Sequence, residues 1–482
     1  LNKLIYLFLF VFQLAIFLVV QHDPFFGDAI SSTVRAASNI YDRNLQTIFY
    51  PLQHDPGHPT LYAWLLAACW MLFGKSLFVA HAFSCFWAFI TGCIFIRLSK
   101  HLLSPFMQWC ALLWLCCFAT YLSQSAMMLN TMAFMGMVLL AYAGFVQNKK
   151  GWQLTGLTLM MCMHTQAVFF LIGFFIAYVA EKLFIHKLHL AVVLKQSVGL
   201  FALPALAYGV WLLLHLQHTG WVVHSPNYAD AKEVNFSATF FKSFLIVCWR
   251  LLDYGMLPVY ILLFCFWMLR NKPYQPAFFY FGVLLLVNMA CLSLFLKNTI
   301  GHRYLLMFHL VAFLLLLFQL QTIARKWKYV AIGFCMLCLL AGNFLHYPGK
   351  TLGDATLAYR SYFELEQMVS RDLTDTVPVY SYAPVANEPR LKYLNDEGLT
   401  IHRIKDGPLA SYPVVLVSNV NAEFTKEQLA VLQKWSGNSY ERGAVYVTLY
   451  YNPRYFNARP DWKLRQETPA EVWMKEMKNR FK

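Results

Sequence analysis

Stretches of about twenty nearly uninterrupted apolar residues recur along the first 346 positions, starting with 4–20 (LIYLFLFVFQLAIFLVV). A helix of that length matches the hydrocarbon core of a bilayer, where only helices or closed barrels satisfy every backbone polar group. Composition agrees, with 59% of the 482 residues hydrophobic and 13% charged, about half the usual charge. Such a chain is neither a soluble globular enzyme, nor a disordered polypeptide, nor a secreted disulfide scaffold. It reads as a polytopic α-helical membrane protein.

Eleven stretches are expected to span: 4–20, 77–96, 105–123, 127–146, 151–166, 167–181, 190–215, 246–269, 276–296, 304–320 and 329–346. Segment 59–73 is apolar but short and starts at Pro59. With it left out, Lys3, Arg97/Lys100, Lys149/Lys150, Lys182/Lys187, Arg270/Lys272 and Arg325/Lys326/Lys328 all fall on one side. The positive-inside rule makes that side cytoplasmic. Counted as a span, 59–73 would move every later basic loop outside, so it is expected to lie at the outer interface. The N-terminus is then inside, and residues 4–20 lack a small-residue cleavage site, as an uncleaved first span would. A long first loop (21–76), a middle loop (216–245), a basic turn (297–303) and the polar C-terminal region lie outside.

The net charge of +15 supports this topology and not a nucleic-acid partner. Residues 1–346 carry 21 Lys+Arg and 8 Asp+Glu, whereas 347–482 carry 18 and 16. The basic excess therefore flanks spans, and no basic-aromatic strip marks the polar part. All 12 cysteines lie between Cys69 and Cys338, in apolar surroundings where a thiol acts as a small hydrophobe. The redox-like Cys335-x-x-Cys338 spacing lacks a βαβ context. A boundary at Pro348-Gly349 separates a transmembrane domain, 1–346, from an extracytoplasmic α/β domain, 347–482. The latter is expected to hold helices near 359–373 and 425–435, the second opened by a Thr425/Gln428 capping box, and strands at 377–382, 413–418 and 443–451.

Acidic residues are scarce before position 347, and four of the eight (Asp23, Asp28, Asp42, Asp55) occupy the first outer loop. Asp28 follows the first span closely, in Phe25-Phe26-Gly27-Asp28, and precedes an amphipathic stretch, 29–41, bearing Arg35. A carboxylate held against apolar neighbours has a raised pKa and suits a general base acting on a hydroxyl; a helix N-cap is the plain alternative. His54-Asp55-Pro56-Gly57-His58-Pro59 gathers polar groups that could bind a phosphate or a divalent metal, with Asp55 and His58 the weak metal candidates. No cofactor is firmly required. In Asn298-Thr299-Ile300-Gly301-His302-Arg303-Tyr304 the arginine abuts the bilayer. There it either snorkels beside an aromatic belt or meets an anion, for which its planar fork suits phosphate.

Taken in order, a first span, an outer Asp, an amphipathic stretch, GHPTLYAWLLAACWMLFGKSL, an outer HRYLL and a C-terminal outer domain resemble the GT-C superfamily of membrane glycosyltransferases. The nearest branch holds the protein O-mannosyltransferases and the aminoarabinose transferases acting on lipid A. That resemblance implies a catalytic base at Asp28, although Ala29 stands where the family usually has a Glu. His58-Pro59-Thr60-Leu61 matches an HPPL segment. Asn130, in SAMMLNTMAF, stands at a second acidic position, and Thr165-Gln166 replaces a Thr-Lys pair. Arg303-Tyr304 matches an Arg-Tyr to which a lipid-phosphate role belongs, with His302 beside it. The implied reaction moves a sugar from a polyprenyl-phosphate donor to a lipid, glycan or protein hydroxyl at the outer face of the cytoplasmic membrane, with inversion. Asp28 would be the base, and Arg35, Asp55, His58, Asn130, Gln166, His302, Arg303 and Tyr304 would bind substrates. A transporter or flippase, a polysaccharide polymerase or ligase, and a non-catalytic binder of lipid-linked sugars are the alternatives. Scarce intramembrane acids weigh against the transporter, and the early position of the long loop weighs against the polymerase.

Overall fold

The computed structural model describes residues 2–50, 52, 55–222, 238–268, 274–295, 301–347, 352–372, 378–381, 401–404, 408–420 and 424–456. His54, residues 223–237 of the middle loop, the Arg270/Lys272 pair, the turn residues 297–300 and the Pro348-Gly349 boundary lie outside them.

Each apolar stretch carries a helix. In chain order these are α1 (Asn2–Val20), α2 (Arg35–Asp42), α3 (Leu61–Phe73), α4 (Leu77–Leu102), α5 (Pro105–Cys117), α6 (Ala119–Ala126), α7 (Thr131–Val146) and α8 (Lys150–Met161). They continue with α9 (Ala167–Ala180), α10 (Leu190–Thr219), α11 (Ala238–Leu252), α12 (Leu257–Met268), α13 (Pro276–Phe295), α14 (Leu306–Leu320) and α15 (Arg325–Gly342). Local chemistry sets several ends. Ser76 caps α4 by accepting from the Val79 amide (3.3 Å), Pro105 opens α5, and Gly220 ends α10 in the left-handed conformation.

The chain is a multi-pass membrane protein, but its helices do not count out as eleven straight crossings. Among the described residues six are long and apolar enough to cross, or eight if each bent pair is one span. Segment 105–123 bends by 63° at Phe118, and 246–269 breaks by 96° around Asp253–Met256. Gly255, at φ +84°, permits the second break and packs backbone to backbone on α15. Helices α7 and α8 have 16 and 12 residues, and α15 opens on Arg325, Lys326 and Lys328. Thirteen-residue α3 rises only about 20 Å, short of a bilayer core.

Helix α14 is apolar on every side and almost wholly buried, so it forms the centre of the bundle. The basic loops around Arg97/Lys100, Lys149/Lys150 and Arg325 gather at one end. Arg97 and Lys149 both sit over the Trp152 ring, Lys100 sits over Tyr6, and Gln321 ties the α14–α15 turn to Ser104 and Leu102. The first loop and the C-terminal region gather at the other.

After the bundle come α16 (Ser361–Asp372), β1 (Val379–Ser381), β2 (Ile401–Arg403), β3 (Val414–Ser418), α17 (Lys426–Leu432), β4 (Ser436–Arg442) and β5 (Val445–Tyr451). The strands form one mixed sheet, β2-β1-β3-β5-β4, with β1 parallel to β2 and β3 and β5 antiparallel to β3 and β4. The capping box at Thr425 and Gln428 forms as expected. Strand β4 was not expected; it is a polar, mostly exposed edge and shows no apolar alternation. The sheet region is not separate from the rest. Phe25, Phe26, Ile30 and Trp70 share one buried cluster with Tyr359, Tyr362, Leu365 and Val447, and Arg360 grips both oxygens of Asp23 at 2.5 and 3.0 Å.

Candidate active site

Six chain breaks meet at the end of the bundle opposite the basic loops: after α1, before α3, between α6 and α7, between α8 and α9, before α14 and after α15. At such a place backbone groups lose helical partners, and charged side chains escape the full cost of the bilayer.

Asp28 begins a π-helical turn, Ala29–Val34, that runs into α2. It occupies the N-cap position but makes no side-chain cap bond. Its carboxylate instead accepts from the Arg303 Nη2 at 2.5 Å. Arg303 lies on a 3-10 turn, His302–Leu305, that leads into α14. Its side chain is only 16% exposed and its guanidinium is taken up by carboxylates, so it does not snorkel. Its Nη1 donates to Asp354 at 2.6 Å, and the group lies 5.2 Å from the Tyr304 ring. One arginine thus joins two carboxylates more than 300 residues apart. The apolar seat expected for Asp28 is absent: its side chain is 53% exposed and ion-paired.

Tyr304 links this ion cluster to the remaining polar residues. Its carbonyl accepts from the Gln166 Nε2 at 3.2 Å, and its ring faces His164 at 6.4 Å. His164 is sandwiched between Phe134 (5.1 Å) and His58 (4.3 Å). The Thr165 hydroxyl donates to the Gly57 carbonyl (2.6 Å), so the His58 Nδ1 is the donor in its 2.9 Å contact with that hydroxyl. The His164 Nδ1 accepts from the Gln166 amide at 3.0 Å, which places a neutral His164 proton on Nε2. Asn130 donates to the Met163 carbonyl at 3.0 Å and so ties the α6–α7 break to the α8–α9 break.

Three sequence-selected residues lie outside this line. Asp55 is 1% exposed; it accepts from the Gly57 amide (2.7 Å) and pairs with His215 of α10 (3.1 Å). His302 turns away from Arg303 onto Asp253 at 2.9 Å. Asp253 also accepts from the Tyr254 amide and the Tyr347 hydroxyl, with Arg250 at 3.9 Å. Burial, and then the Asp253 carboxylate, pushes the Tyr347 phenol well above its usual range, so it remains a donor. Arg35 opens α2, partly buried, seven residues beyond Asp28.

Asp55 and His58, the metal candidates, have different partners, and no three His, Cys, Asp or Glu side chains converge among the described residues. Among the described residues Asp55 and His58 thus offer a divalent cation no shared set of donors. Asp354, His164, Asp253 and His215 escaped the sequence reading. Only the polar CMHTQ break, 162–166, between two apolar runs signalled one of them.

The fold is similar to that of ArnT from Cupriavidus metallidurans, in crystal structures bound to undecaprenyl phosphate and in the apo state. Both have a TM-score of 0.55 and cover 92% of this chain and 97% of the neighbour, at 11% and 12% sequence identity. No family model matches the sequence. No curated protein matches it either. The likeness expected to the GT-C transferases that act on lipid A therefore holds for the fold.

Proposed function

We propose that the protein is an integral-membrane glycosyltransferase. It would transfer a sugar from a polyprenyl-phosphate donor to a hydroxyl acceptor (lipid, glycan or protein) at the outer face of the cytoplasmic membrane. The observation carrying this reading is the Asp28–Arg303 pair at the loop-rich end of an ArnT-like bundle. It brings a candidate base and a candidate phosphate ligand into contact across 275 residues. One ArnT neighbour holds undecaprenyl phosphate, which favours a lipid-linked donor.

In this reading the acceptor oxygen attacks the anomeric carbon as its proton passes to the Asp28 carboxylate. The bond from that carbon to the phosphate oxygen breaks, and the electron pair leaves with the lipid phosphate. Arg303 stabilises the departing charge. A single displacement inverts the anomeric centre. Tyr304, Gln166, His58 and Asn130 form the wall against which donor and acceptor are oriented, with Arg35 nearby. His302 acts through the turn that carries Arg303, and Asp55 anchors the loop that carries His58. The N-terminus is read as cytoplasmic. Residues 347–482 are read as an extracytoplasmic domain seated on the first loop.

The test is incubation of purified full-length protein with polyprenyl-phosphate sugars, following release of the lipid phosphate. Asp28→Asn should abolish release while the protein still binds undecaprenyl phosphate. Normal turnover by that variant would sink the base assignment.

A further inference from the structure

Arg303 engages its two carboxylates through different nitrogens, Nη1 to Asp354 and Nη2 to Asp28. The two carboxylates sit in contrasting surroundings, one on a pinned backbone and 19% exposed, the other 53% exposed. The Asp354 carbonyl accepts from the Ser123 hydroxyl (2.5 Å) and the Gln124 amide (2.9 Å), both fully buried on α6. On one side of it, the Leu352 amide donates to the Asn419 carbonyl at 2.6 Å beside β3. On the other, Ala355 packs with Ala119 and Tyr254, and Thr356 caps a 3-10 turn. Its side chain is 19% exposed. Asp28 is 53% exposed and makes no N-cap bond.

We propose that Asp354 is a positioning residue that holds Arg303 by Nη1, so that Nη2 is exchanged between Asp28 and the donor phosphate. This rests on the reading of Asp28 and Arg303 given above. Two carboxylates and one guanidinium sum to one negative charge, so an arriving phosphate anion is opposed until one carboxylate yields. The enclosed one, on its pinned backbone, stays, and the exposed one leaves. Donor arrival thereby releases the Asp28 carboxylate to accept the proton of the attacking hydroxyl. Before the donor is seated, the base is tied up. Asp354 also restores to the site a second carboxylate, which the sequence lacks at Asn130, from a different part of the chain.

The experiment measures binding of undecaprenyl phosphate to the purified full chain in lipid nanodiscs, together with thermal unfolding. Asp354→Asn should weaken binding about tenfold, because Arg303 loses its fixed partner. Asp354→Glu, which keeps the charge, should recover part of that loss. Asp28→Asn should tighten binding several-fold by removing the competitor. In the Asp354→Asn background that gain should shrink, since the two positions act through one guanidinium.

Tighter binding by Asp354→Asn would make Asp354 a competitor and overturn the proposal. Additive effects of the two substitutions would do the same, as would a uniform loss of thermal stability, kcat and affinity that Glu does not relieve. An Arg303→Ala variant that binds undecaprenyl phosphate normally would remove the underlying reading of Arg303. A weakened Arg303→Ala with an unchanged Asp354→Asn would instead overturn only the role of Asp354.

Discussion

Replacing Arg303 by lysine separates a bidentate guanidinium from a bare positive charge. Arginine here makes two charge-assisted hydrogen bonds from two nitrogens, at 2.5 and 2.6 Å, with a side chain 16% exposed. A lysine ammonium is one compact centre on a flexible stem and cannot span both carboxylates. Each such bond is worth about 1.5–3 kcal/mol net. The bond to Asp28 belongs near the low end of that range, because Asp28 is half exposed and water replaces part of what is lost. Losing one bond predicts a fall of about 10- to 100-fold in kcat/KM for the donor, at about 1.4 kcal/mol per factor of ten. Arg303→Ala loses the Asp354 anchor as well as the charge presented to the phosphate, so a fall of about 1,000-fold is expected. The assay is the initial rate of lipid-phosphate release with donor well below KM. A lysine variant within twofold of the wild type would refute the reasoning, since a point charge would then suffice.

Three further outcomes follow from the packing. Asp55→Asn should cost about 1–3 kcal/mol in thermal unfolding, because His215 loses a buried charge partner, while the donor KM moves less than threefold. A large KM change at unchanged stability would instead place Asp55 on the substrate. Gly255→Ala should cost about 3 kcal/mol or more and lower the folded yield on size exclusion, because φ is +84° and a Cβ would overlap the Cys338 carbonyl. A cysteine at position 75, in a background lacking the 12 native cysteines, should react with an impermeant maleimide added outside the cell. Labelling from the inside alone would overturn the interfacial placement of α3.

Helix positions were legible because burial in lipid demands long apolar runs, and such runs are written locally. Breaks within them were not. The expected span 246–269 hides Asp253 and Gly255, whose bend depends on the close approach of α15 and not on local hydropathy. Asp28 and Arg303 were both visible as charges at the bilayer edge, yet their pairing was not, because no periodicity links positions 275 residues apart. Asp354 was harder still. It stands in a polar segment where carboxylates are ordinary, and only the fold carries it to Arg303. The same holds for β4, whose polar edge has no signature until β5 lies beside it.

The scarcity of acids before residue 347 has a physical reading once their partners are known. Six of the eight are described, and each is bound across elements: Asp23 to Arg360, Asp28 to Arg303, Asp42 to Lys75, Asp55 to His215, Glu181 to Tyr274 and Tyr280, and Asp253 to His302. Beside a bilayer an unpaired carboxylate is costly, so each one marks a clamp between elements or a working group. Exposure sorts these two classes. Asp55 and Asp253 are almost fully enclosed, and drawing either from its partner would strand a buried charge. Asp42 is 61% exposed, but its partner is a lysine at the end of α3. Asp28 alone among these six combines an accessible carboxylate with an arginine only 16% exposed. An anion drawn to that arginine must displace Asp28, and the displaced carboxylate remains within reach of whatever the anion brought with it.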